Sequence, residues 1–232
     1  MKITYINHSS FSIELDDCTL LFDCFEGEIP EFDKNKKLYV FSSHGHHDHF
    51  NSVIFDLESN YKDIKYILSS DIKNIINKEA NNITYIDVNE DISLDKLEIK
   101  TLESSDIGVA FIVNVEGKTI YHAGDLNWWH WEGENSDKEN KEAESMFKKE
   151  IDKIKNNHFD IAFVPLDPRQ GEQYYLGFDT FMKNTNTKIV FPMHCWGKYS
   201  IIKKLLESSH SNTYKDKIIC INHKNQEFYI EI

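Results

Sequence analysis

The stretch Leu38-Tyr39-Val40-Phe41-Ser42-Ser43-His44-Gly45-His46-His47-Asp48-His49 is a β-forming run that ends in a loop of histidines and an aspartate. The loop has the pattern H-x-H-x-D-H, with His47 in one of the x positions. Neutral imidazole nitrogens and carboxylate oxygens are good ligands for zinc and similar divalent ions. A loop turns such side chains towards one centre, which a helix with this spacing does not do for all four. Strand ends are also where binding loops gather. A solvated histidine-rich loop is the alternative. The aspartate within the pattern, the strand before it and matching groups further along the chain argue for a metal site.

Outward from the loop, the N-terminal side reads as strands. Lys2 to Ile6, the face Phe11-Ile13-Leu15, Thr19 to Asp23 and Leu38 to Ser42 have β character, the second with clear period two. On the C-terminal side, Ser52 to Asn60 predicts a helix, Tyr66 to Ser69 a strand, and Asp71 to Ala80 a helix capped by Asp71. Strands are expected at Ile83–Val88, Leu97–Leu102, Val109–Val115 and Thr119–Tyr121, with a hairpin turn at Glu116-Gly117. Ala143, Met146, Phe147, Ile151 and Ile154 share one face of an amphipathic helix. Further strands are expected at Ile161–Val164, Ile189–Phe191, Ile218–Ile221 and Phe228–Ile230, and helices at Phe178–Lys183 and Tyr199–Leu206. The polar stretch from Trp128 to Asn140 reads as a long surface loop. Strands dominate first and then alternate with helices. Two packed sheets with helices outside fit this order better than one doubly wound sheet. No repeat or linker divides residues 1–232, so one domain is expected.

The 232 residues carry 40% hydrophobic and 28% charged side chains, the balance of a globular chain, with 15 Phe, 11 Tyr and 4 Trp to fill a core. A formal net charge of −13 repels phosphates and anionic membranes, which argues against nucleic-acid and membrane partners. The 4 cysteines form no C-x-x-C pair and read as free thiols. Met1 to Tyr5 lacks an apolar signal region, and no apolar run approaches the roughly 20 residues of a membrane helix. A cytoplasmic location and a small-molecule substrate are therefore expected, with the oligomeric state left open.

The histidine loop resembles the signature of the metallo-β-lactamase superfamily. Tyr121-His122-Ala123-Gly124-Asp125 resembles that family's strand ending in Gly-Asp, and Pro192-Met193-His194 its late strand-end histidine. Asn7-His8-Ser9-Ser10-Phe11 and Leu20-Leu21-Phe22-Asp23 resemble the opening of the branch that includes L-ascorbate-6-phosphate lactonase. The resemblance covers residues 1 to about 200 and implies an α/β fold, an αββα sandwich of two mixed sheets flanked by helices. It also implies metal ligands at His44, His46, Asp48, His49, Asp125 and His194, with Asp125 bridging two ions. The activity it implies is that of a metal-dependent hydrolase of a small ester, lactone, amide or phosphoester. The divalent ion lowers the pKa of its water and supplies hydroxide near neutral pH. Asp48 is the candidate catalytic residue, orienting the water, ligating the ion, or both.

The chain departs from the family pattern at one place. No histidine occurs from 50 to 121, where the family supplies a third ligand to the first site; the corresponding segment holds Ser104, Ser105 and Asp106. Three outcomes are open. In the first, the first metal site is lost and one ion is held by Asp48, His49, Asp125 and His194. Alternatively Asp106, or His8, His122 or His130, supplies the missing ligand. Finally, the chain is a catalytically silent relative. One or two ions are expected, zinc first, with Mn2+ or Fe2+ also fitting the ligand set. His8 is expected as a substrate or supporting contact, or as a core histidine. Asp23 is expected behind a ligand histidine, or as a turn residue. Trp128 and the neighbouring tryptophans line a pocket mouth or pin their loop. Arg169 binds a substrate carboxylate or phosphate, or pairs with Asp167 or Asp160. Cys195 is read as packing, with minor ligand potential, and His122 as a plain buried histidine.

Overall fold

The structure, a computed structural model, describes residues 1–76 and 78–231. Seven strands form a first sheet: β1 (Lys2–Asn7), β2 (Ser10–Glu14), β3 (Cys18–Phe22), β4 (Lys37–Ser42), β5 (Ile64–Ser69), β6 (Ile83–Ile86) and the last strand, β13 (Gln226–Tyr229). Their order is β13-β1-β2-β3-β4-β5-β6. The second sheet has six strands: β7 (Asp91–Leu94), β8 (Leu97–Glu103), β9 (Val109–Val115), β10 (Lys118–His122), β11 (His158–Pro165) and β12 (Asn186–Met193), in the order β12-β11-β10-β9-β8-β7. Both sheets are mixed. The run β3 to β6 is parallel and the hairpins around β2 antiparallel. In the second sheet β10 to β12 are parallel and β7 to β10 antiparallel. The helices are α1 (Ser70–Ile76), α2 (Asp137–Lys153), α3 (Leu176–Asn184) and α4 (Ser200–Glu207). None of the described helices is long and apolar enough to cross a membrane.

Period two divides the strand side chains between two apolar clusters. Along β3 and β4, Leu20, Phe22, Tyr39 and Phe41 turn towards the second sheet, while Leu21, Leu38 and Val40 join the cluster on the other face with Ile54 and Ile72. Phe22 and Phe41 stack side by side on the first sheet with centroids 4.7 Å apart, and between the sheets the rings interlock, Phe11 with Phe163 at 4.3 Å and Phe41 with Phe111 at 5.3 Å. Buried aromatic pairs in tilted and edge contact add to the area they remove from water. α2 and α3 close the outer face of the second sheet, with Tyr121 stacked on Phe181 at 4.7 Å.

Parallel strands end on one rim, and this positions the site. The C-terminal ends of β3, β4 and β5 deliver Asp23, the histidine loop and Asp71; those of β10, β11 and β12 deliver Asp125, Asp167 and His194. The sheets are stitched together there. The Val109 amide donates to the Ser43 carbonyl at 2.9 Å, and the His194 amide to the His8 carbonyl at 3.2 Å. Gly108 and Gly124 allow this approach. Both have positive φ, and a Cβ would stand 2.1 Å from the Ser43 oxygen at Gly108 and 2.7 Å from the Ser43 Cβ at Gly124.

Several elements differ from the sequence expectations. The helix expected over Asp71–Ala80 ends at Ile76, with Asn77 outside the described residues, and Asp71 is not its cap. The Asp71 Oδ2 instead accepts the Gly45 amide at 2.7 Å and anchors the histidine loop. The helix expected from Ser52 forms over Ser52–Ser59 as a 3₁₀ helix, with Asn51 capping it. The expected loop from Trp128 stops at Ser136, whose capping box with Glu139 starts α2. No strand forms over Ile218–Ile221; Ile218 makes only a single bridge to Val190. The strand β7 was not expected. The Glu116-Gly117 turn is a hairpin with φ of 49° and 72°, the primed geometry that joins β9 and β10.

Candidate metal centre

The histidine loop turns tightly, with the amides of His49 and Phe50 both donating to the His46 carbonyl. The turn brings His44 and His49 inwards, where both are fully buried, and leaves His46 half exposed. From the opposite sheet Asp125 enters between them. Its Oδ1 lies 3.1 Å from His49 Nε2 and 3.4 Å from His194 Nε2, and its Oδ2 3.6 Å from His44 Nε2. Asp48 Oδ2 lies 3.9 Å from His194 Nε2. On the far side of Asp125, His46 Nδ1 and Asp106 Oδ2 stand 3.6 Å apart. Among the described residues the donor atoms fall into three overlapping groups: His8, Asp48, His49 and His194; His44, His49 and Asp125; and His46, Asp106 and Asp125.

The second layer fixes how the imidazoles present themselves. His49 Nδ1 donates to Asp23 Oδ2 at 2.7 Å, and His194 Nδ1 to Asp167 Oδ2 at 2.9 Å. The Ser43 hydroxyl donates to Asp23 Oδ2 at 2.6 Å, so His44 Nδ1 donates to the Ser43 oxygen at 3.0 Å. In the neutral form that binds an ion, each of these three rings therefore carries its proton on Nδ1 and turns the Nε2 lone pair inwards. The Nε2 atoms of His8, His44, His49 and His194, and Asp125 Oδ1, are buried without a hydrogen-bond partner. Orphaned buried polar atoms each cost roughly 1–3 kcal/mol. Five converging here, with His49 and His194 backed by carboxylates and His44 by the Ser43 hydroxyl, fit a bound divalent cation: nitrogen and oxygen donors, three of the rings with oriented tautomers.

The electrostatics agree. Burial opposes charge at Asp125, but His49 and His194 outweigh it and hold its carboxyl well below the usual carboxylate range. Burial likewise works against ionisation of Asp48, yet contacts with His8 and His49 keep its carboxyl depressed. Burial disfavours a charged His49, but Asp125 and Asp23 reverse this and raise its pKa. His44 and His8 are pushed down to about 4, chiefly by burial. Asp106 is raised, by burial and then by Asp125. Strain gathers here too: His8, Asp23, His194 and Trp196 all have left-handed backbone, with φ from 45° to 63°.

The remaining expected residues fall as follows. Asp23 stands behind His49 and, through Ser43, behind His44. Arg169 pairs with Asp167, not Asp160: its Nε and Nη2 donate to Asp167 Oδ2 at 2.9 and 2.6 Å, and its guanidinium lies over the rings of Trp131 and Trp196. Trp128, read as lining a pocket mouth or pinning its loop, packs on the core with the Lys148 ammonium of α2 over its ring. Trp129 and Trp131 take the pocket position, stacked 5.7 Å apart beside a cavity of 410 Å³ lined also by Ser105, Asp106, Asp125 and Arg169. His122 is a neutral structural histidine that donates from Nε2 to the Ser9 carbonyl and accepts the Gly124 amide at Nδ1. His130 appears in none of the three ligand groups, and Cys195 is buried in the core. Sequence reasoning missed Ser43 and Trp196. It saw Asp167 only as a partner for Arg169. The one signal for Asp167 was its position just past the end of β11.

A second cavity, of 670 Å³, flanks the centre on the side of His8, Asp48, Phe25 and Trp196. The site is thus reached from two sides.

Comparison with known proteins agrees with this geometry. The beta-lactamase superfamily domain matches residues 2–194. A UPF0173 metal-dependent hydrolase of Alkaliphilus metalliredigens is 28% identical over 141 residues, 54% of this chain and 63% of that protein. The chain spans less than two thirds of the length of the curated relatives it matches. Among solved structures, the metallo hydrolase Igni18 of Ignicoccus hospitalis superposes with a TM-score of 0.68 at 17% identity, covering 99% of each chain. The metallo-β-lactamase fold protein YhfI of Bacillus subtilis superposes with a TM-score of 0.63 at 15% identity, covering 98% of this chain and 99% of its own. At those identities the likeness is one of fold. The family match runs from β1 to His194, across two mixed sheets whose histidines and aspartates meet at a shared rim, and the chain belongs to the beta-lactamase superfamily.

Proposed function

We propose that this chain is a metal-dependent hydrolase of a small ester, lactone, amide or phosphoester. The observation that carries the reading is the set of orphaned buried donors around Asp125, with the imidazoles of His44, His49 and His194 each oriented by an acceptor behind it. Asp48, His49, His194 and Asp125 would hold one ion. His44, His46, Asp106 and Asp125 would hold a second, with Asp106 in the place of the family's third histidine and with weaker binding, since His46 and Asp106 are both about half exposed. Zinc fits this nitrogen and oxygen set, as do Mn2+ and Fe2+, and the carboxylate at position 106 moves the second site towards the harder ions. When bound, the ions act as Lewis acids that make water nucleophilic near neutral pH and stabilise negative charge on the attacked carbonyl or phosphoryl oxygen.

The chain's own residues do the rest. Asp48 stays ionised and orients the attacking water by accepting its hydrogen bond. Trp129 and Trp131 exclude bulk water from one side of the cleft and pack on the apolar part of the substrate. Arg169, held rigid by Asp167 and two indole rings, turns its remaining N–H edge to an anionic substituent. Lactone hydrolysis is one candidate, supported by the N-terminal motifs around His8 and Asp23. A small-molecule substrate suits cavities of this size, and the net charge of −13 disfavours nucleic acid. Four free cysteines, three of them buried, support a reducing, cytoplasmic setting, and one domain accommodates the whole reading.

The test is metal content per chain, together with hydrolysis of a panel of lactones, aryl esters and phosphodiesters, for wild type, His194→Ala and Asp48→Asn. We expect bound metal that His194→Ala loses, and hydrolysis that Asp48→Asn abolishes. Wild type that takes up no ion after reconstitution, or metal-loaded wild type that hydrolyses nothing, would instead mark a silent relative.

A further inference from the structure

His8 has a role beyond the ligand set above. It occupies the turn between β1 and β2, on the opposite sheet from His194. Its amide donates to the Tyr5 hydroxyl at 2.9 Å, and its carbonyl accepts the His194 amide at 3.2 Å. Both histidines have left-handed backbone, with φ of 54° and 63°. Such backbone is uncommon and unfavourable for a residue with a side chain. Here it sets the two imidazoles against each other, with ring centroids 4.0 Å apart.

Packing alone does not call for this. His8 Nε2 is buried with no hydrogen-bond partner, a cost that an apolar ring at this position would avoid. The same nitrogen lies 3.5 Å from Asp48 Oδ2. Donor atoms of His8, Asp48, His49 and His194 all lie within 4.8 Å of one another. Ligands bound at about 2.1 Å to one ion stand about 3–3.5 Å from their neighbours in the shell. The His8–Asp48, His49–Asp125 and His194–Asp125 separations of 3.5, 3.1 and 3.4 Å match that spacing.

We propose that His8 is a direct ligand, through Nε2, of the ion held by Asp48, His49, His194 and Asp125. This rests on the hydrolase reading and adds a ligand to it. The site then offers three imidazoles and two carboxylates, all largely buried. The neighbouring site offers two imidazoles and two carboxylates, with His46 and Asp106 facing solvent. The His8 site therefore fills first, and a single equivalent of metal goes there.

Cobalt(II) titration of chelator-stripped protein tests both statements without reference to activity. The variants are His8→Asn, which keeps a residue tolerant of left-handed backbone but is too short to reach the ion, and Asp106→Asn. In wild type, one equivalent of cobalt should give three sets of strongly shifted imaidazole ring protons by NMR, from His8, His49 and His194. His8→Asn should leave two sets and weaken the first equivalent by more than about 100-fold, because loss of an outer partner alone costs about 10–100-fold. Asp106→Asn should leave the first equivalent unchanged and weaken the second. Should His8→Asn fail to fold, His8→Gly replaces it, since glycine takes this backbone without strain. If wild type and the His8 variant show the same imidazole count and the same first affinity, His8 only hydrogen-bonds Asp48 or touches substrate, and the proposal is wrong while the hydrolase reading stands. If wild type binds no cobalt, both fall together.

Discussion

Asp23 supports two imidazoles at once, so Asp23→Asn should damage metal binding more than any other outer substitution. Its Oδ1 accepts the Ser43 amide at 2.7 Å; its Oδ2 accepts the Ser43 hydroxyl at 2.6 Å and His49 Nδ1 at 2.7 Å. Asparagine keeps the shape but has one acceptor oxygen. If that oxygen stays on the Ser43 amide, an NH2 group faces His49 Nδ1 and the Ser43 hydroxyl. His49 must then accept at Nδ1, which moves its proton to Nε2, the atom turned towards Asp125. The Ser43 hydroxyl turns as well, and His44 loses its orientation. One lost outer partner costs about 10–100-fold in metal affinity. With two rings affected, we expect a loss of about 100-fold or more, equivalent to about 2.8 kcal/mol. Asp167→Asn, which touches only His194 among the ligands, should cost about one decade. The assay is competition against a chromophoric chelator near neutral pH. Wild-type affinity retained within about threefold in Asp23→Asn would refute the relay through Ser43.

Three further outcomes follow from the same geometry. Asp125 and Asp23 overcome burial to hold a proton on His49 in the metal-free chain, so an ion must displace it. Calorimetry in buffers of different ionisation heat should show proton release and affinity rising with pH; buffer-independent heats would contradict this. The Asp167 carboxyl is held at about 2, where burial is outweighed by His194 and Arg169. A depressed carboxylate stabilises the fold above its unfolded pKa and loses that contribution as pH falls through its folded value. Denaturant titrations of metal-free protein should thus lose roughly 2–3 kcal/mol between about pH 4 and 2, and Asp167→Asn should flatten that limb. Finally, Gly108→Ala places a Cβ 2.1 Å from the Ser43 oxygen at a φ of +77°. Urea unfolding should show a loss of roughly 2–4 kcal/mol together with weaker metal binding; an unchanged midpoint would mean the sheets separate there at little cost.

The parts of the fold that were legible in the sequence are those where burial dictates residue type. The alternation of Leu38, Tyr39, Val40 and Phe41 serves two cores and reads directly as strand. β7 carries only one short alternation, with Asp91 and Ser93 to solvent and Ile92 and Leu94 half-buried on the core, too brief a pattern to stand out from the flanking turns. Ile218 to Ile221 has strand composition because Ile218 and Ile221 are buried, yet its pairing stops at the single bridge from Ile218 to Val190. Asp71 has the chemistry of a helix cap and spends it on the Gly45 amide, a choice set by a contact 26 residues away. The histidine loop, Asp125 and His194 could be recognised from local pattern. The meeting of His8 with His194 could not, because it depends on the turn after β1 facing the end of β12. Of the tryptophans, the sequence marked the run but not the direction of each ring, which the turn after Asp125 decides.

The two stitches between the sheets, Val109 to Ser43 and His194 to His8, lie within the site itself. His8 and the histidine loop belong to one sheet, and Asp106, Asp125 and His194 to the other. Any breathing of the sandwich at this rim pulls the ligands apart, so an ion there works as a clasp between the two halves. Its escape requires the halves to part, which ties the residence time of the metal to the opening rate of the core. The reverse also holds: each ion bound to the closed form alone deepens the native state in proportion to the logarithm of its free concentration. A cell that starves this protein of metal would alter its lifetime as well as its chemistry.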